Sequence, residues 1–218
     1  MNRVDKKGFY CSCDHNYFNT WAKTFVVSSQ RHAPWAHIHL HIFDGTDQDR
    51  EWAHNHTCSI TVEPTPVNYN TDLASRRAYW SNMRFVRLAE LYTDSTAVIS
   101  VDADSVFSKD LTEDQFDHDL EHSWVTTAKK REQLSLASAV GFAPDLARHQ
   151  LKSLLESIPR LVWYMDQINL DILLDQGTLL PMDTRYSDFK MTDASYIWTG
   201  KGERKFKSKF QQLRANYQ

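Results

Sequence analysis

Two aspartates separated by one alanine, Asp102-Ala103-Asp104, are the residues of this chain whose types and spacing most directly suggest chemistry. On an extended segment, side chains at positions i and i+2 project from the same face, so both carboxylates can reach one cation. Hard oxygen ligands suit Mg²⁺ or Mn²⁺, which keep coordination positions open for phosphate oxygens. A divalent ion held there stabilises the charge that develops on a departing diphosphate. The alternative for the tripeptide alone is a solvated acidic turn.

The run TAVISV at positions 96–101 leads directly into this acidic pair and predicts a buried central strand. Further strands are expected at 8–13, 37–43, 58–62 and 196–198. Helical patterns cover residues 17–30, 72–91 (with Asp72 as N-cap), 145–157 and 160–175. Strands that alternate with helices predict an α/β fold, with a mostly parallel central sheet flanked by helices.

In such sheets, ligands bind beyond the carboxyl ends of the strands, which here points to residues 14–17 and 102–105. The helix at 72–91 carries four arginines within one sector of about 100°. Guanidinium groups pair well with phosphate and carboxylate oxygens, so this face is a candidate phosphate-binding surface. A solvated basic face, or ion pairs with acidic neighbours, is the alternative. The four residues are Arg76, Arg77, Arg84 and Arg87.

Length and composition predict one soluble domain spanning residues 1–218, with 41% hydrophobic and 24% charged residues. The net charge of −3 provides no basic field for nucleic acid. No apolar run approaches the roughly 20 residues of a transmembrane helix, and the first ten residues lack the apolar core of a signal peptide, so a cytoplasmic protein is expected. The sequence also lacks the motifs of serine esterases, P-loop NTPases and dinucleotide-dependent oxidoreductases.

Four segments, in order along the chain, resemble the GT-A fold glycosyltransferases, most nearly the family 8 enzymes that use nucleotide-sugar donors. The likeness spans residues 9 to about 205 and implies a single Rossmann-like GT-A domain. The segments are SCDHNY at 12–17, RRAYWSNMRF at 76–85, VISVDADSV at 98–106 and YMDQINL at 164–170.

The resemblance implies metal-dependent transfer of a sugar from a nucleoside diphosphate donor, a UDP-sugar, to an acceptor. The resemblance further implies that Asp102 and Asp104 bind Mn²⁺ or Mg²⁺. It also implies that Arg84, Asp166 and Gln167 contact the transferred sugar or its phosphate. Because a neutral amide is a poor nucleophile, same-face attack with retention of configuration fits Gln167 better than a covalent intermediate does. The residues placed against the donor are Cys13, Asp14, Asn16, Tyr17, Asp102, Ala103, Ser138, Lys201 and Lys205.

The chain departs from the family pattern in two places. The family's carboxy-terminal signature supplies a histidine as third metal ligand, whereas Thr199 stands at that position here and no histidine follows His149. Ser138 stands where the family has an asparagine near the sugar. Two protein ligands plus water predict weak metal affinity. The basic segment 201–214, with six basic residues and one Glu, is a candidate phosphate clamp, a membrane-surface contact or a solvated helix.

Two other functions stay open at this stage. The missing histidine is compatible with a catalytically inactive protein that binds a nucleotide or a sugar. A sugar nucleotidyltransferase is the second, although such an enzyme should carry a glycine-rich loop after its first strand, and residues 11–17 contain no glycine. The acceptor, the donor sugar and the oligomeric state are not fixed by the sequence.

The ten histidines are expected to be structural, because same-face neighbours on a strand lie about 7 Å apart, too far for a compact zinc site.

Overall fold

The computed structural model describes residues 3–127 and 135–218. Its strands are β1 (Gly8–Asp14), β2 (His37–Phe43), β3 (Ser59–Glu63), β4 (Val98–Val101), β5 (Ser105–Phe107), β6 (Trp124–Thr127), β7 (Ser135–Phe142), β8 (Leu180–Met182) and β9 (Ile197–Thr199). Its α-helices are α1 (His15–Tyr17), α2 (Lys23–His32), α3 (Asp47–Asn55), α4 (Leu73–Leu91), α5 (Glu113–Asp119), α6 (Ala147–Glu156), α7 (Met165–Asp175) and α8 (Ser208–Ala215). A π-helical segment, Phe18–Ala22, joins α1 to α2, and two short 3₁₀ helices cover Thr184–Tyr186 and Gly202–Phe206.

Seven strands form the central sheet in the order β3-β2-β1-β4-β7-β6-β8. The pairs β1–β2, β1–β4, β2–β3 and β6–β8 are parallel, whereas β7 runs antiparallel to both of its neighbours. Strands β5 and β9 form a separate antiparallel pair. The predicted α/β class, with a mostly parallel sheet flanked by helices, is therefore confirmed.

The sheet separates two hydrophobic layers, and the first strand contributes to both. Phe9 lies on one side, where its ring packs edge to face against Phe25, Phe107 and Phe116. Its neighbour Tyr10 belongs to the opposite layer, which also contains the apolar faces of α4, α6 and α7. This division follows from the alternation of side chains along a strand. Burial on both faces holds the carboxyl ends of β1 and β4 in fixed positions.

The helix before the acidic pair forms as the sequence predicts. Asp72 is its N-cap, and the carboxylate accepts a 2.8 Å hydrogen bond from the Ser75 backbone N–H. The helix packs its apolar stripe, with Tyr79 and Val86, against the sheet. Its arginines divide between two environments, since Arg87 is paired with acidic side chains of β3 and α4 while the other three line a cavity.

Several elements differ from the sequence-based expectation. Helix α7 begins at Met165 rather than at 160, because Tyr164 adopts a left-handed backbone conformation with φ of 72°. The predicted helix at 17–30 contains the π-helical segment Phe18–Ala22 and extends to His32. Helix α3 and strands β5 to β8 are not anticipated by the sequence patterns, whereas α8 falls largely within the basic segment 201–214, for which a helix was one of the alternatives. Within the described residues, no helix has both the length and the apolar character needed to cross a bilayer.

Histidines of β2 form a hydrogen-bonded ladder with hydroxyl side chains of β3. His39 Nδ1 lies 2.6 Å from the Ser59 hydroxyl, and its Nε2 lies 3.0 Å from the Thr61 hydroxyl. His37 also reaches Ser59, and His41 also reaches Thr61. Burial lowers the pKa of His39 to about 3, so its ring is neutral at physiological pH. The three histidines that alternate along this strand are therefore structural, as predicted.

Candidate active site

The backbone of the acidic tripeptide is fixed on both sides by neighbouring strands. The Asp102 N–H donates a 2.9 Å hydrogen bond to the Ser138 carbonyl of β7, and the Gly200 N–H, just after β9, donates a 2.8 Å bond to the Asp104 carbonyl. Strand β4 ends immediately before Asp102, next to the end of β1 in the parallel part of the sheet. The ends of β1, β4 and β9 and the middle of β7 therefore meet around the acidic tripeptide.

A cavity of about 700 Å³ opens at this edge, within the range usual for small-molecule sites. Every site residue proposed from the sequence lines it, and the structure thereby brings together positions spread over most of the chain. Their individual roles stay predictions. The residues are Cys13, Asp14, Asn16, Tyr17, Arg84, Asp102, Ala103, Asp104, Ser138, Asp166, Gln167, Lys201 and Lys205.

The Asp104 carboxylate is buried and lies beside two groups that stabilise its charge. Its Oδ2 accepts a 3.1 Å hydrogen bond from the Tyr17 hydroxyl and lies 3.7 Å from the Lys205 ammonium. Burial, and then repulsion from Asp102, nevertheless raise the pKa of Asp104 to about 6. A further cation between the two carboxylates would relieve this cost.

Arg84 joins the acidic pair to helix α7. Its guanidinium donates to Asp102 Oδ1 at 2.7 Å and to Asp166 Oδ2 at 2.9 Å. Burial alone would lower the pKa of Arg84, but attraction to these two carboxylates outweighs burial and raises it. Gln167 follows Asp166 on the first turn of α7 and lines the same cavity. Arg84 therefore stabilises the charges of Asp102 and Asp166 and sets the positions of both side chains.

The loop after β1 is shaped by local hydrogen bonds. Asp14 Oδ1 accepts a 2.9 Å bond from the Tyr17 backbone N–H, which caps the short helix α1. The Asn16 side chain stays exposed at the cavity wall. The Tyr17 ring lies 4.8 Å from the Lys205 ammonium, which also donates a 2.5 Å hydrogen bond to the Tyr17 hydroxyl. The aromatic ring therefore connects the first strand-loop to the basic carboxy-terminal segment.

The donor atoms at the acidic pair fit a divalent cation that also binds a phosphate ligand. Asp102 Oδ2 and Asp104 Oδ1 make no hydrogen bond to another described residue, so each carboxylate keeps one oxygen available. No group of three potential ligands (His, Cys, Asp or Glu) surrounds them in the part of the chain that the structure describes. Mg²⁺ commonly binds through one or two carboxylates together with phosphates and water.

Thr199, which stands at the position of the family's metal-binding histidine, faces away from the cavity. Its buried hydroxyl lies 3.1 Å from the Ser105 hydroxyl and accepts a 3.2 Å hydrogen bond from Ser187. Ser187 also donates a 2.7 Å hydrogen bond to the hydroxyl of Ser138. These serine and threonine hydroxyls therefore support the wall of the site from behind, and Thr199 is no substitute for a metal ligand.

Comparison with known proteins identifies the fold. The chain matches no protein family and no curated protein by sequence. Among solved structures it superimposes on the apo form of WbbM, a bifunctional glycosyltransferase, with a TM-score of 0.63 and 14% identity over 100% of this chain. It also superimposes on apo GlyE, a glycosyltransferase of Streptococcus pneumoniae TIGR4, with a TM-score of 0.64 and 16% identity over 98% of this chain. This is a glycosyltransferase fold. The chain spans 51% of the WbbM chain and 60% of the GlyE chain, and identities this low show the fold alone.

The cavity also contains residues that sequence reasoning did not identify as site residues. Trp163 and Tyr164 form part of its wall, and Leu73 and Trp80 of α4 form another part. The aromatic pair is separated from Asp166 by Met165 alone, and that proximity is the signal that could have found it. Leu73, Trp80 and Arg84 follow one another at spacings of seven and four residues and so share a helix face, which the arginine pattern alone did not reveal.

Proposed function

We propose that this protein is a glycosyltransferase of the GT-A type, which transfers a sugar from a nucleoside diphosphate donor, a UDP-sugar, to an acceptor. The observation that carries the proposal is the juxtaposition, in one cavity, of the Asp102–Asp104 pair with Lys201 and Lys205 on one side and Asp166 with Gln167 on the other. Acidic metal ligands, cations for a diphosphate and polar groups for a sugar are the three components that this reaction needs.

On the donor side, the base and ribose lie against the loop after β1, where Asp14 and Asn16 offer polar atoms and Tyr17 an aromatic ring. The diphosphate lies against Lys201 and Lys205. Gly202, with φ of 63°, allows the backbone between these lysines to turn so that both line the cavity. Asp102 and Asp104 are the residues that would hold Mn²⁺ or Mg²⁺, and such an ion would supply positive charge for the leaving diphosphate.

On the sugar side, Asp166 accepts hydrogen bonds from sugar hydroxyls, while Arg84 donates to its carboxylate and orients it. Because this carboxylate is engaged by a guanidinium and Gln167 is a neutral amide, neither is a strong nucleophile. Attack by the acceptor hydroxyl on the face that the diphosphate leaves accounts for the reaction without a covalent enzyme intermediate, and it retains the configuration of the sugar.

The experiment is a panel of UDP-sugars incubated with Mn²⁺, with released UDP as the measured product. The isosteric change Asp104→Asn should reduce UDP release by roughly a hundredfold or more, since losing several kcal/mol of charge stabilisation in the transition state costs a factor of ten per 1.4 kcal/mol. The matched control is Asp193→Asn, an exposed aspartate whose side chain does not line the cavity. It should leave the rate unchanged.

The same incubation distinguishes the two other functions. UDP or a UDP-sugar that binds without any turnover, in the wild type and with every donor, would indicate an inactive nucleotide- or sugar-binding protein. Pyrophosphate released from UTP and a sugar 1-phosphate would indicate a nucleotidyltransferase. Equal rates for Asp104→Asn and the wild type would refute the proposed role of the acidic pair.

A further inference from the structure

The cavity continues along helix α4, beyond the residues that the proposed reaction uses. Six side chains at spacings of three or four residues line it, and together they form one face of the helix. Only Arg84, the last of them, contacts the acidic pair. The remaining five extend the cavity by about three helical turns from the reacting centre. The six are Leu73, Arg76, Arg77, Trp80, Ser81 and Arg84.

Two arginines of this face differ from Arg84 and Arg87 in whether a carboxylate pairs with their charge. Arg84 is paired with two carboxylates, and Arg87 is paired with Glu63 and Glu90. Arg76 and Arg77, in contrast, have no carboxylate partner within residues 3–127 and 135–218. The Nε of Arg76 is buried and makes no hydrogen bond to any described residue. A buried donor without a partner is costly, so an acceptor oxygen from a ligand would be favoured here.

The backbone positions of the unpaired arginines lie well along the helix from Arg84, which contacts the acidic pair. A rise of about 1.5 Å per residue separates Arg76 from Arg84 by about 12 Å along the axis, and Arg77 by about 10 Å. The diphosphate is assigned to the acidic pair and to Lys205, which is 3.7 Å from Asp104. Arg76 and Arg77 therefore provide positive charge for a second anionic group, one that belongs to another molecule than the donor.

An aromatic wall lies in the same cavity as this positive charge. Trp163 and Tyr164 are 47% and 55% exposed, and their rings pack edge to face with centroids 5.5 Å apart. Tyr164 holds a φ of 72°, which is unfavourable for a bulky residue and places two aromatic rings side by side before α7. Large apolar surfaces exposed within a cavity mark a ligand-binding groove. The C–H face of a sugar ring is apolar and would be buried well against such rings.

Resting on the proposed function, we propose that the acceptor is an anionic saccharide, a sugar that carries a phosphate or a carboxylate. Its anionic group pairs with Arg76 and Arg77, and its sugar ring lies on Trp163 and Tyr164. One hydroxyl of this acceptor attacks the anomeric carbon of the donor sugar. The new carbon–oxygen bond forms as the bond to the diphosphate breaks, and the hydroxyl proton passes to the phosphate oxygen that leaves.

The experiment measures binding of three probes to the full chain in the presence of UDP and Mg²⁺, by isothermal titration or by tryptophan fluorescence. The probes are methyl glucoside, its 6-phosphate and methyl glucuronide, which share one ring and differ in charge. We expect at least one of the two charged probes to bind the wild type tenfold or more tightly than the neutral probe. Whether the phosphate or the carboxylate binds more tightly identifies the anionic group.

Two variants and one control complete the experiment. Arg76→Gln combined with Arg77→Gln should bring the charged probes to the affinity of methyl glucoside while UDP affinity changes less than twofold. Trp163→Ala should weaken all three probes about fivefold or more. Arg160→Ala, an exposed arginine outside the cavity, should change nothing. Thermal melting checks that each variant is folded. If the double variant is unfolded, the single variant Arg77→Gln, at an exposed position, replaces it in the binding measurement.

The outcomes separate this inference from the proposed function. If UDP binds the wild type but the three probes bind equally, or none binds, the anionic acceptor is refuted and the donor site stands. If the double arginine variant loses UDP affinity, these arginines belong to the donor site and the inference is equally refuted. If the wild type binds neither UDP nor any UDP-sugar, the proposed function itself is refuted, and the acceptor assignment with it.

Discussion

We expect loss of the Arg84 side chain to destabilise the folded protein, because Arg84 holds two carboxylates of the cavity in place. Its guanidinium bridges Asp102 and Asp166 at 2.7 Å and 2.9 Å, and Asp166 is 3% exposed. The change Arg84→Met keeps most of the side-chain volume but leaves two carboxylates without their cation. Removing one partner of a buried ion pair costs about 3–5 kcal/mol. We expect the free energy of unfolding to fall by about that amount.

Urea unfolding at pH 7 measures this loss, and a double-mutant cycle with Asp166→Asn shows its cause. Once Asp166 is uncharged, removal of Arg84 should cost about 0.5–3 kcal/mol less, which is the range of coupling energies between residues in contact. The control is Arg76→Met, on the same helix but without a carboxylate partner among the described residues, which should cost less than about 1 kcal/mol. A coupling energy near zero would refute the claim that Arg84 acts by holding these carboxylates.

Two further predictions concern other parts of the fold. The folded-state pKa of His39 is about 3, below the ordinary value near 6.5, so the unfolded chain binds a proton that the folded chain does not. The contribution of His39 to the free energy of unfolding is therefore complete above pH 6.5 and is lost as the pH falls toward 3. Urea unfolding at pH 7 and pH 4.5 should show a loss of about 2–3 kcal/mol from this residue, and His39→Gln should remove about one proton from the pH dependence, whereas an unchanged slope would contradict the assignment. Tyr164→Gly should raise the thermal midpoint, because a φ of 72° strains tyrosine by about 1 kcal/mol and does not strain glycine. A lower midpoint would show that the ring contact with Trp163 outweighs this strain.

The sequence predicts the parts of this fold where local chemistry and tertiary packing agree. The strand at β4 is an aliphatic run that contains one serine, Ser100, and Asp72 caps α4 as its position before a helical pattern indicates. Helix α3 went unpredicted because its capping box uses Asp49 where glutamate or glutamine is usual, and because its pattern has few apolar residues. Short strands such as β5 and β8, three residues each, are stabilised by their sheet partners and carry no periodic signal of their own.

The site was more predictable from sequence than the surrounding fold, for a physical reason. Polar residues directly after apolar strands lie at the carboxyl edge of a parallel sheet, so the positions of Asp14 and Asp102 follow from strand order alone. The contacts between them do not, because Tyr17 reaches Asp104 from the short helix α1, which Asp14 caps. The pairing of Arg84 with two carboxylates likewise depends on the distance between α4 and α7, which no local pattern records.

The antiparallel ladder between β5 and β9 has a consequence for how the protein is made. Ser105 pairs with Thr199, and the backbone of Asp104 is bonded to Gly200, so the acidic pair is held by residues almost one hundred positions further along the chain. On the ribosome, the first four strands of the sheet are synthesised long before that segment emerges. The growing polypeptide therefore carries its aspartates before Gly200 and Lys205 are made, and the contacts of these two residues with Asp104 form only after their segment has emerged.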